Sequence, residues 1–517
     1  MTWLVPLPVV MPLLGAALTL LIRRRANLQR AVSLVVLGAT LAVSVALLAL
    51  TSTGDTLTVA VGGWAAPMGI VLVADRLAAL MLVVSSAVTL CVLIYSIGQG
   101  LADGDNTIPV AVYHPAYLIL TAGVTNAFLA GDLFNLYVGF EILLAASYVL
   151  ITLGATRSRI RDGTTYVVVS LLSSLIFLTA IGLIYAATGT LNMAQLAGRL
   201  DDLPGALQLA LQSMLLLAFG IKAAVFPLSA WLPDSYPTAI APVTAVFAGL
   251  LTKVGVYAII RTQTLLFPDG PATDVLLVAA LLTMIVGILG AVAQSDIKRL
   301  LSFTLVSHIG YMLFGIGLAT NAGLSGAIFY VVHHIVVQTT LFLAAGLIER
   351  RGGTTALDRL GGLARLAPVL GVLFFLPALN LAGIPPFSGF LGKLGLLQAG
   401  VADGTPLAWA LVTGSVVTSL LTLYAIGRVW NLAFWRTPRA EALDGEDAAR
   451  AESPNGASAA PSRAMPRLMV GATLALVVLG TGLTVVAGPL SEFTGQAATE
   501  LRDREPYVRA VFAQESP

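Results

Sequence analysis

The chain has 517 residues, 57% of them hydrophobic and only 10% charged, with a net charge of +2. A soluble domain carries about 25% charged residues, so a chain this apolar cannot cover itself with polar surface and takes lipid as its solvent. The small net charge argues against a nucleic-acid partner, and the single cysteine, Cys91, excludes a disulfide framework and a thiol-based metal site.

A membrane-spanning helix needs about 20 mostly apolar residues. Such stretches follow one another at 4–22, 31–50, 76–97, 113–130, 133–153, 164–187, 208–228, 242–261, 274–293, 301–319, 324–347, 367–384 with 387–400, 407–434 and 467–488. They predict an all-α membrane protein of about fourteen transmembrane helices. The first stretch lacks the form of a signal peptide: no basic residue precedes it, Arg23, Arg24 and Arg25 follow it, and Pro6, Pro8 and Pro12 interrupt it. It reads as a retained helix.

Arginine and lysine alternate between loops. Arg23, Arg24, Arg25 and Arg30 follow the first stretch, Arg157, Arg159 and Arg161 the fifth, and Lys298 and Arg299 the ninth. Arg350, Arg351, Arg359 and Arg365 follow the eleventh, and Arg436, Arg439, Arg450, Arg463 and Arg467 the thirteenth, whereas 51–74 and 401–406 have none and 188–207 only Arg199. Positive residues stay inside, so both termini are expected outside a multi-pass protein of the cell membrane. Residues 437–466, rich in Ala, Ser, Pro and charge, read as a flexible cytoplasmic loop. The tail beyond Ser491 reads as short and polar.

Four of the 28 basic residues are lysines, and three of these, Lys222, Lys253 and Lys393, fall inside apolar stretches. The fourth, Lys298, sits in a basic loop beside Arg299. An intramembrane lysine costs about 2.5–3.5 kcal/mol on insertion scales. Arginine keeps its proton in a protein, whereas lysine can trade it. A chain that otherwise prefers arginine therefore points to proton carriage at these three positions, against the plainer alternatives of snorkelling or a static ion pair.

Glu141, in GDLFNLYVGFEILLAASYVLI, is the first glutamate of the chain and needs a partner, for which Lys222 or Lys253 is the candidate. His308 lies in SFTLVSHIGYMLFG, and His333 and His334 in FYVVHHIVVQTTLFLAAG, with hydroxyl and amide side chains nearby. Histidine titrates nearest neutral pH and suits a relay. The adjacent pair diverges by about 100° on a helix, so at most one of the two faces the path. His114 precedes Pro115 at the start of a stretch and reads as interfacial. The histidines lack metal-ligand spacing.

The stretch around Lys222 continues as FPLSAWLPDSYPTAIAP, with Pro227, Pro233, Pro237 and Pro242. The stretch around Lys393 reads LNLAGIPPFSGFLGKLGLLQ, with Pro385 and Pro386 ahead of the lysine. Such residues interrupt membrane helices only inside protein or beside water. Two interruptions, lysine before one and after the other, suggest an inverted repeat with ion sites at the breaks. Packing kinks are the alternative.

GFEILL with Glu141, FGIKAAVFPLSAWLPDSYPTAIAPVTA, LLTKVGVY, QSDIKRLLSFTLVSHIGYM and GIPPFSGFLGKLG resemble the antiporter-like subunits shared by respiratory complex I and the multisubunit Mrp cation/proton antiporters. GDLFNLYVGFEILL and GIPPFSGFLGKLG bring the likeness nearest to the D-type members of the Mrp complexes; the A-type members are much longer. The resemblance implies fourteen helices with inverted five-helix repeats and discontinuous helices seven and twelve. The corresponding units here are 1–110, 111–262 for repeat one, 263–436 for repeat two, the loop 437–466, and 467–517. It also implies a proton relay in which Glu141 and Lys222 form the coupling pair, Lys253 the centre, His308 and His334 the continuation, and Lys393 the outer end. Gln338 departs from the pattern, since related sequences often have a lysine after the histidine pair.

The implied function is proton translocation coupled to sodium exchange, a cation near Glu141 competing with Lys222 for the carboxylate. Partners would be the other subunits of a membrane complex, with H+ and Na+ as substrates and the lipid bilayer around them. A proton-pumping subunit of an NADH:quinone oxidoreductase is the nearest rival, and a non-transporting scaffold a third reading. No nucleophile constellation, nucleotide loop or cofactor motif stands in the sequence, so neither enzymatic catalysis nor a cofactor is expected.

Overall fold

The computed structural model describes residues 1–103, 110–154, 157–268, 270, 272–437 and 465–513. The expected flexible loop at 437–466 lies almost wholly outside the described residues, with Arg439, Arg450 and Arg463.

The apolar runs become helices α1 (Leu7–Leu21), α2 (Ala26–Thr51), α3 (Arg76–Asp103), α4 (Val110–Leu129), α5 (Leu133–Ile151), α6 (Arg157–Thr188), α7 (Met193–Arg199) and α8 (Gly205–Ala223). They continue with α9 (Ala241–Leu266), α10 (Thr273–Val292), α11 (Ile297–Gly317), α12 (Asn321–Gly352), α13 (Pro368–Ala382), α14 (Ser388–Asp403), α15 (Pro406–Trp435), α16 (Arg467–Val485), α17 (Ala487–Arg502) and α18 (Arg504–Phe512). Their starts are set by side chains that bond orphan N–H groups: Asp132 for α5, Asn192 for α7, Asp296 for α11, Thr320 for α12 and Thr405 for α15.

Among the described residues, twelve helices are long and apolar enough to cross a membrane, two fewer than the fourteen expected. One of the two missing stretches is α4, twenty residues long but diluted by His114, Thr121, Thr125 and Asn126. The other arrives as two shorter helices, α13 and α14, separated where Gly383 takes a left-handed conformation ahead of Pro385 and Pro386. A small antiparallel hairpin departs from the all-α expectation, pairing Leu57–Ala60 with Val71–Ala74.

Lipid and protein surroundings divide the helices. α9 and α12 are buried through their apolar stretches and α11 nearly so, whereas α1, α2 and α16 expose most of theirs. Polar residues follow that division, because a lipid-facing polar group has no partner. His308, His333, His334 and Lys253 all lie on the three interior helices, fully buried.

One end of the bundle gathers most of the arginine-rich segments. There Arg159 bonds the Thr238 carbonyl, Arg428 the Val292 carbonyl, and Arg436 the carbonyls of Leu357, Asp358 and Leu360. Lys298 is not in an open loop: it is buried in the first turn of α11 and paired with Glu349 at 2.6 Å. His114 is likewise buried, its Nδ1 2.9 Å from Ser33 Oγ.

The opposite end is roofed by the tail, which is two docked helices rather than a bare polar extension. Glu500 pairs with Arg76, Arg504 with Asp201 at 3.0 Å, and Thr58 donates to the Ala510 carbonyl at 3.1 Å. Tyr507 lies 5.2 Å from the Arg261 guanidinium. Arg261 itself makes a bidentate pair with Asp75 at 2.6 and 3.0 Å and reaches the Tyr257 hydroxyl at 3.0 Å.

Burying that pair makes its neutrality matter. Asp75→Asn leaves the Arg261 cation uncompensated and lowers the stability of the solubilised protein by about 3–5 kcal/mol, read as a drop in thermal midpoint. Asp75→Leu combined with Arg261→Met recovers most of the loss.

Candidate functional site

The three lysines of the apolar stretches are all buried: Lys222 is 8% exposed, Lys253 0% and Lys393 4%. None of their ammonium groups reaches a carboxylate within 4 Å among the described residues. Each instead meets an uncharged oxygen, and each does so beside an interruption of a helix.

Lys222 stands one residue before α8 ends. Its Nζ donates to Ser174 Oγ at 3.1 Å and lies 4.9 Å from the Phe140 ring. The termination is a tight one: Val225 N bonds the Gly220 carbonyl and Ala224 adopts φ 59°, a left-handed conformation unusual for alanine. Beyond it, Trp231 returns to the helix end and donates from Nε1 to the Ile221 carbonyl at 3.1 Å.

Lys253 follows a π turn at Phe247–Leu251 within α9. A π turn shifts the hydrogen-bond ladder and is a feature of functional sites. Lys253 Nζ donates into that turn, to the Ala248 carbonyl at 2.6 Å. Gly255, just beyond the lysine, lets α9 press against α8: a Cβ there would stand 2.9 Å from the Ala223 nitrogen, next to Lys222.

Lys393 belongs to α14 but caps α13. Its Nζ donates to the carbonyls of Leu381 and Ala382, both at 3.1 Å, at the helix end where carbonyls lack intrahelical partners. The C-terminal dipole of α13 favours a cation there. Gly383, at φ 83°, has no Cβ to press on the lysine's stem.

The histidines fill the space between. His308 and His334 have ring centroids 5.2 Å apart. Tyr330 shares a 2.7 Å hydrogen bond with His308 Nδ1, and neither ring nitrogen of His334 has a hydrogen-bond partner. Both rings lie within electrostatic reach of Lys253 and of Lys393. His333, passed over in the sequence because it points elsewhere on α12, turns to the second break, its Nδ1 3.0 Å from Ser388 Oγ. Ser388 in turn donates to Asn380 Oδ1 at 3.3 Å. The signal was present in the serine of PPFSGF just after the prolines.

Glu141 makes no ion pair within 4 Å among the described residues, and its Oε1 has no hydrogen-bond partner. It is half-buried on α5 and is the carboxylate whose field reaches Lys222. Gln338 donates to the Leu301 carbonyl at 2.7 Å, where a lysine of the related pattern would stand. Of the predicted break residues, Pro227 lies in the turns after α8, Pro233 in a short helical turn (Leu232–Ser235) ahead of α9, and Pro385 and Pro386 between α13 and α14. Ser174, Trp231 and Asn380 were not legible as site residues, because a single polar or aromatic residue in an apolar run carries no distinguishing pattern, whereas Tyr330 is one of the hydroxyl side chains read beside the histidines.

Residues 130–422 match the family described as NADH:quinone oxidoreductase/Mrp antiporter, TM. Over 99% of each chain, the protein is 37% identical to the D subunit of the Na(+)/H(+) antiporter of Alkalihalophilus pseudofirmus. It is also 37% identical to the D subunit of the Na(+)/H(+) antiporter of Bacillus subtilis, over 98% of this chain and 99% of that one. A chain in the structure of the Mrp complex from Dietzia sp. superposes with a TM-score of 0.89 at 35% identity, covering 99% of this chain and 100% of that one. A chain of the archaeal membrane-bound sulfane sulfur reductase gives 0.87 at 25% identity, with the same coverage.

The close approach at Gly255 is testable by packing alone. Gly255→Ala forces α9 off α8 and lowers stability by about 1–3 kcal/mol. Gly427→Ala on α15, where nothing lies within 4 Å of the new Cβ, leaves the thermal midpoint unchanged.

Proposed function

The chain belongs to the NADH:quinone oxidoreductase/Mrp antiporter family, with the D-type members of the Mrp complexes, and we propose that it carries protons through a multisubunit Na+/H+ antiporter. It is part of a transporter rather than an enzyme. The observation that carries the relay is the setting of its lysines: three buried ammonium groups held by hydroxyl and carbonyl oxygens, with histidines between two of them. A carboxylate at contact distance would hold each lysine charged. Neutral oxygens solvate the ammonium yet leave the amine free to form.

Protonic charge moves along Lys222, Lys253, His334 with His308, and Lys393, and His333 joins the row through Ser388. Glu141 acts on Lys222 through space. A cation drawn to the half-buried carboxylate weakens its hold on the lysine's proton, which couples sodium to proton movement. The architecture behind this has fourteen crossings: the twelve apolar helices, α4, and α13 with α14 as one interrupted crossing. Units 111–262 and 263–436 act as inverted repeats, supported by a lysine before the break in one and after it in the other. Both termini face outward from the cell membrane, with the arginine-rich end inside. The remaining members of the antiporter complex cover part of the exposed apolar surface.

The likeness to a respiratory complex at 25% identity favours a second reading, in which redox chemistry drives the same row. The higher identity to antiporter chains puts exchange first. Flavin or iron–sulfur proteins co-purifying with the chain would reverse that order.

Replacing Lys253 with arginine keeps the charge and removes the exchangeable proton. Sodium-driven pH change in vesicles holding the assembled complex falls roughly 100-fold in Lys253→Arg, the scale of a lost proton-transfer group. Retained exchange would show that positive charge alone suffices.

A further inference from the structure

Asn380, on α13, ties together three helices at the second break. Its Oδ1 accepts from the Gly389 backbone N–H of α14 at 2.9 Å and from Ser388 Oγ at 3.3 Å, and its Nδ2 donates to the Gly480 carbonyl of α16 at 3.5 Å. Ser388 Oγ stands in turn 3.0 Å from His333 Nδ1. Asn380, Ser388 and His333 are all buried, so bulk water does not compete for these bonds.

The hydrogen atoms of this chain can run in one direction only. A backbone N–H donates and never accepts, so the amide atom facing Gly389 is the oxygen. An amide oxygen only accepts, so the single hydroxyl hydrogen of Ser388 is committed to it. Ser388 Oγ is then left to accept from His333, which must carry its proton on Nδ1. In a neutral histidine the bond made by one ring nitrogen fixes the state of the other. Nε2 is therefore the basic nitrogen, and it is buried without a hydrogen-bond partner. That edge of the ring borders Gly389, where a Cβ would stand 3.0 Å from Nε2; the missing side chain leaves the nitrogen room.

We propose that Asn380 is a positioning residue of the proton path: acting through Ser388, it holds His333 as the Nδ1–H tautomer, so that Nε2 alone exchanges protons at the second break. His333 lies within electrostatic reach of Lys393. When the Lys393 ammonium gives up one N–H proton, the Nε2 lone pair takes it. The products are a neutral amine and an imidazolium protonated on both nitrogens, and the reverse transfer restores both. The way past Ser388 is closed, because its hydroxyl ends on an amide oxygen, too weak a base to take a proton onward. Ser388 thus joins His333 to the row by orienting it, and charge enters and leaves the ring at one nitrogen. The role rests on the reading of Lys393 and His333 as proton carriers, but the tautomer is measurable without it.

The chain has four histidines. Labelling histidine with 15N in this chain alone, before assembly with unlabelled partner subunits, gives ring-nitrogen signals that report which nitrogen is protonated, assigned by single replacement. Neutral His333 is expected with Nδ1 protonated and Nε2 bare. In Asn380→Leu, a side chain of similar shape, the Ser388 hydroxyl is released to donate to Nδ1, and the proton shifts to Nε2. Sodium-driven exchange then falls about tenfold, the lower end for losing a partner that orients a functional histidine. A native neutral His333 with its proton on Nε2 would overturn the assignment, as would an unchanged tautomer in Asn380→Leu or a shifted one with exchange at the native rate. The native spectrum needs no substitution at Asn380, so it decides the tautomer even if the leucine variant fails to assemble. Failure of the relay would show separately, as exchange that survives Lys253→Arg while His333 keeps its proton on Nδ1.

Discussion

Where a helix is interrupted, its backbone carbonyls lose their intrahelical donors and need others, and this constraint organises the surroundings of the interior lysines. Lys222, Lys253 and Lys393 each stand beside an interruption: the end of α8, the π turn in α9, and the gap between α13 and α14. The interruptions cost helical hydrogen bonds, and they are tolerated because the backbone is buried in protein there: α9 through its apolar stretch, Ala223 and Ala224 at the end of α8, and Leu381 and Ala382 at the end of α13. In exchange, Lys253 and Lys393 gain oxygens that carry no formal charge. A carboxylate in the same place would tie each proton down; an apolar wall would leave the ammonium unsolvated.

The same logic separates two kinds of cation in one chain. Arg261 is bidentate to Asp75 and flanked by tyrosines, and Lys298 is paired with Glu349. These pairs sit near opposite ends of the bundle and brace it. Lys222, Lys253 and Lys393 have no carboxylate within 4 Å among the described residues. The paired cations meet formal negative charge, whereas the three interior lysines meet neutral oxygens.

Much of the architecture could be read from the chain. Apolar length located the spanning helices, and the prolines and glycines at 227–242 and 383–389 marked where regular helix stops. The count of long spans came out two lower, since polar residues dilute α4 and the break divides α13 from α14. The helical tail escaped the sequence reading because α17 and α18 are held by contacts with distant segments, Glu500 with Arg76 and Arg504 with Asp201. At the site, residue type and burial were legible but partners were not. The uncharged acceptors of the lysines are backbone carbonyls and a serine 48 residues away, none of which a local pattern can announce. The second histidine was set aside on angular grounds that hold only if one neighbour matters; α12 has neighbours on both sides.

With only four lysines, the chain allows the protonation of each to be followed directly. Labelling lysine with 15N in this chain alone, before assembly with unlabelled partner subunits, gives four side-chain nitrogen signals, assigned by single replacement. If the interior lysines carry protons, Lys222, Lys253 and Lys393 show both ammonium and neutral-amine signals as pH is varied across the working range, while Lys298, paired with Glu349, stays ammonium throughout. Three interior lysines fixed as ammonium over that whole range would contradict the relay.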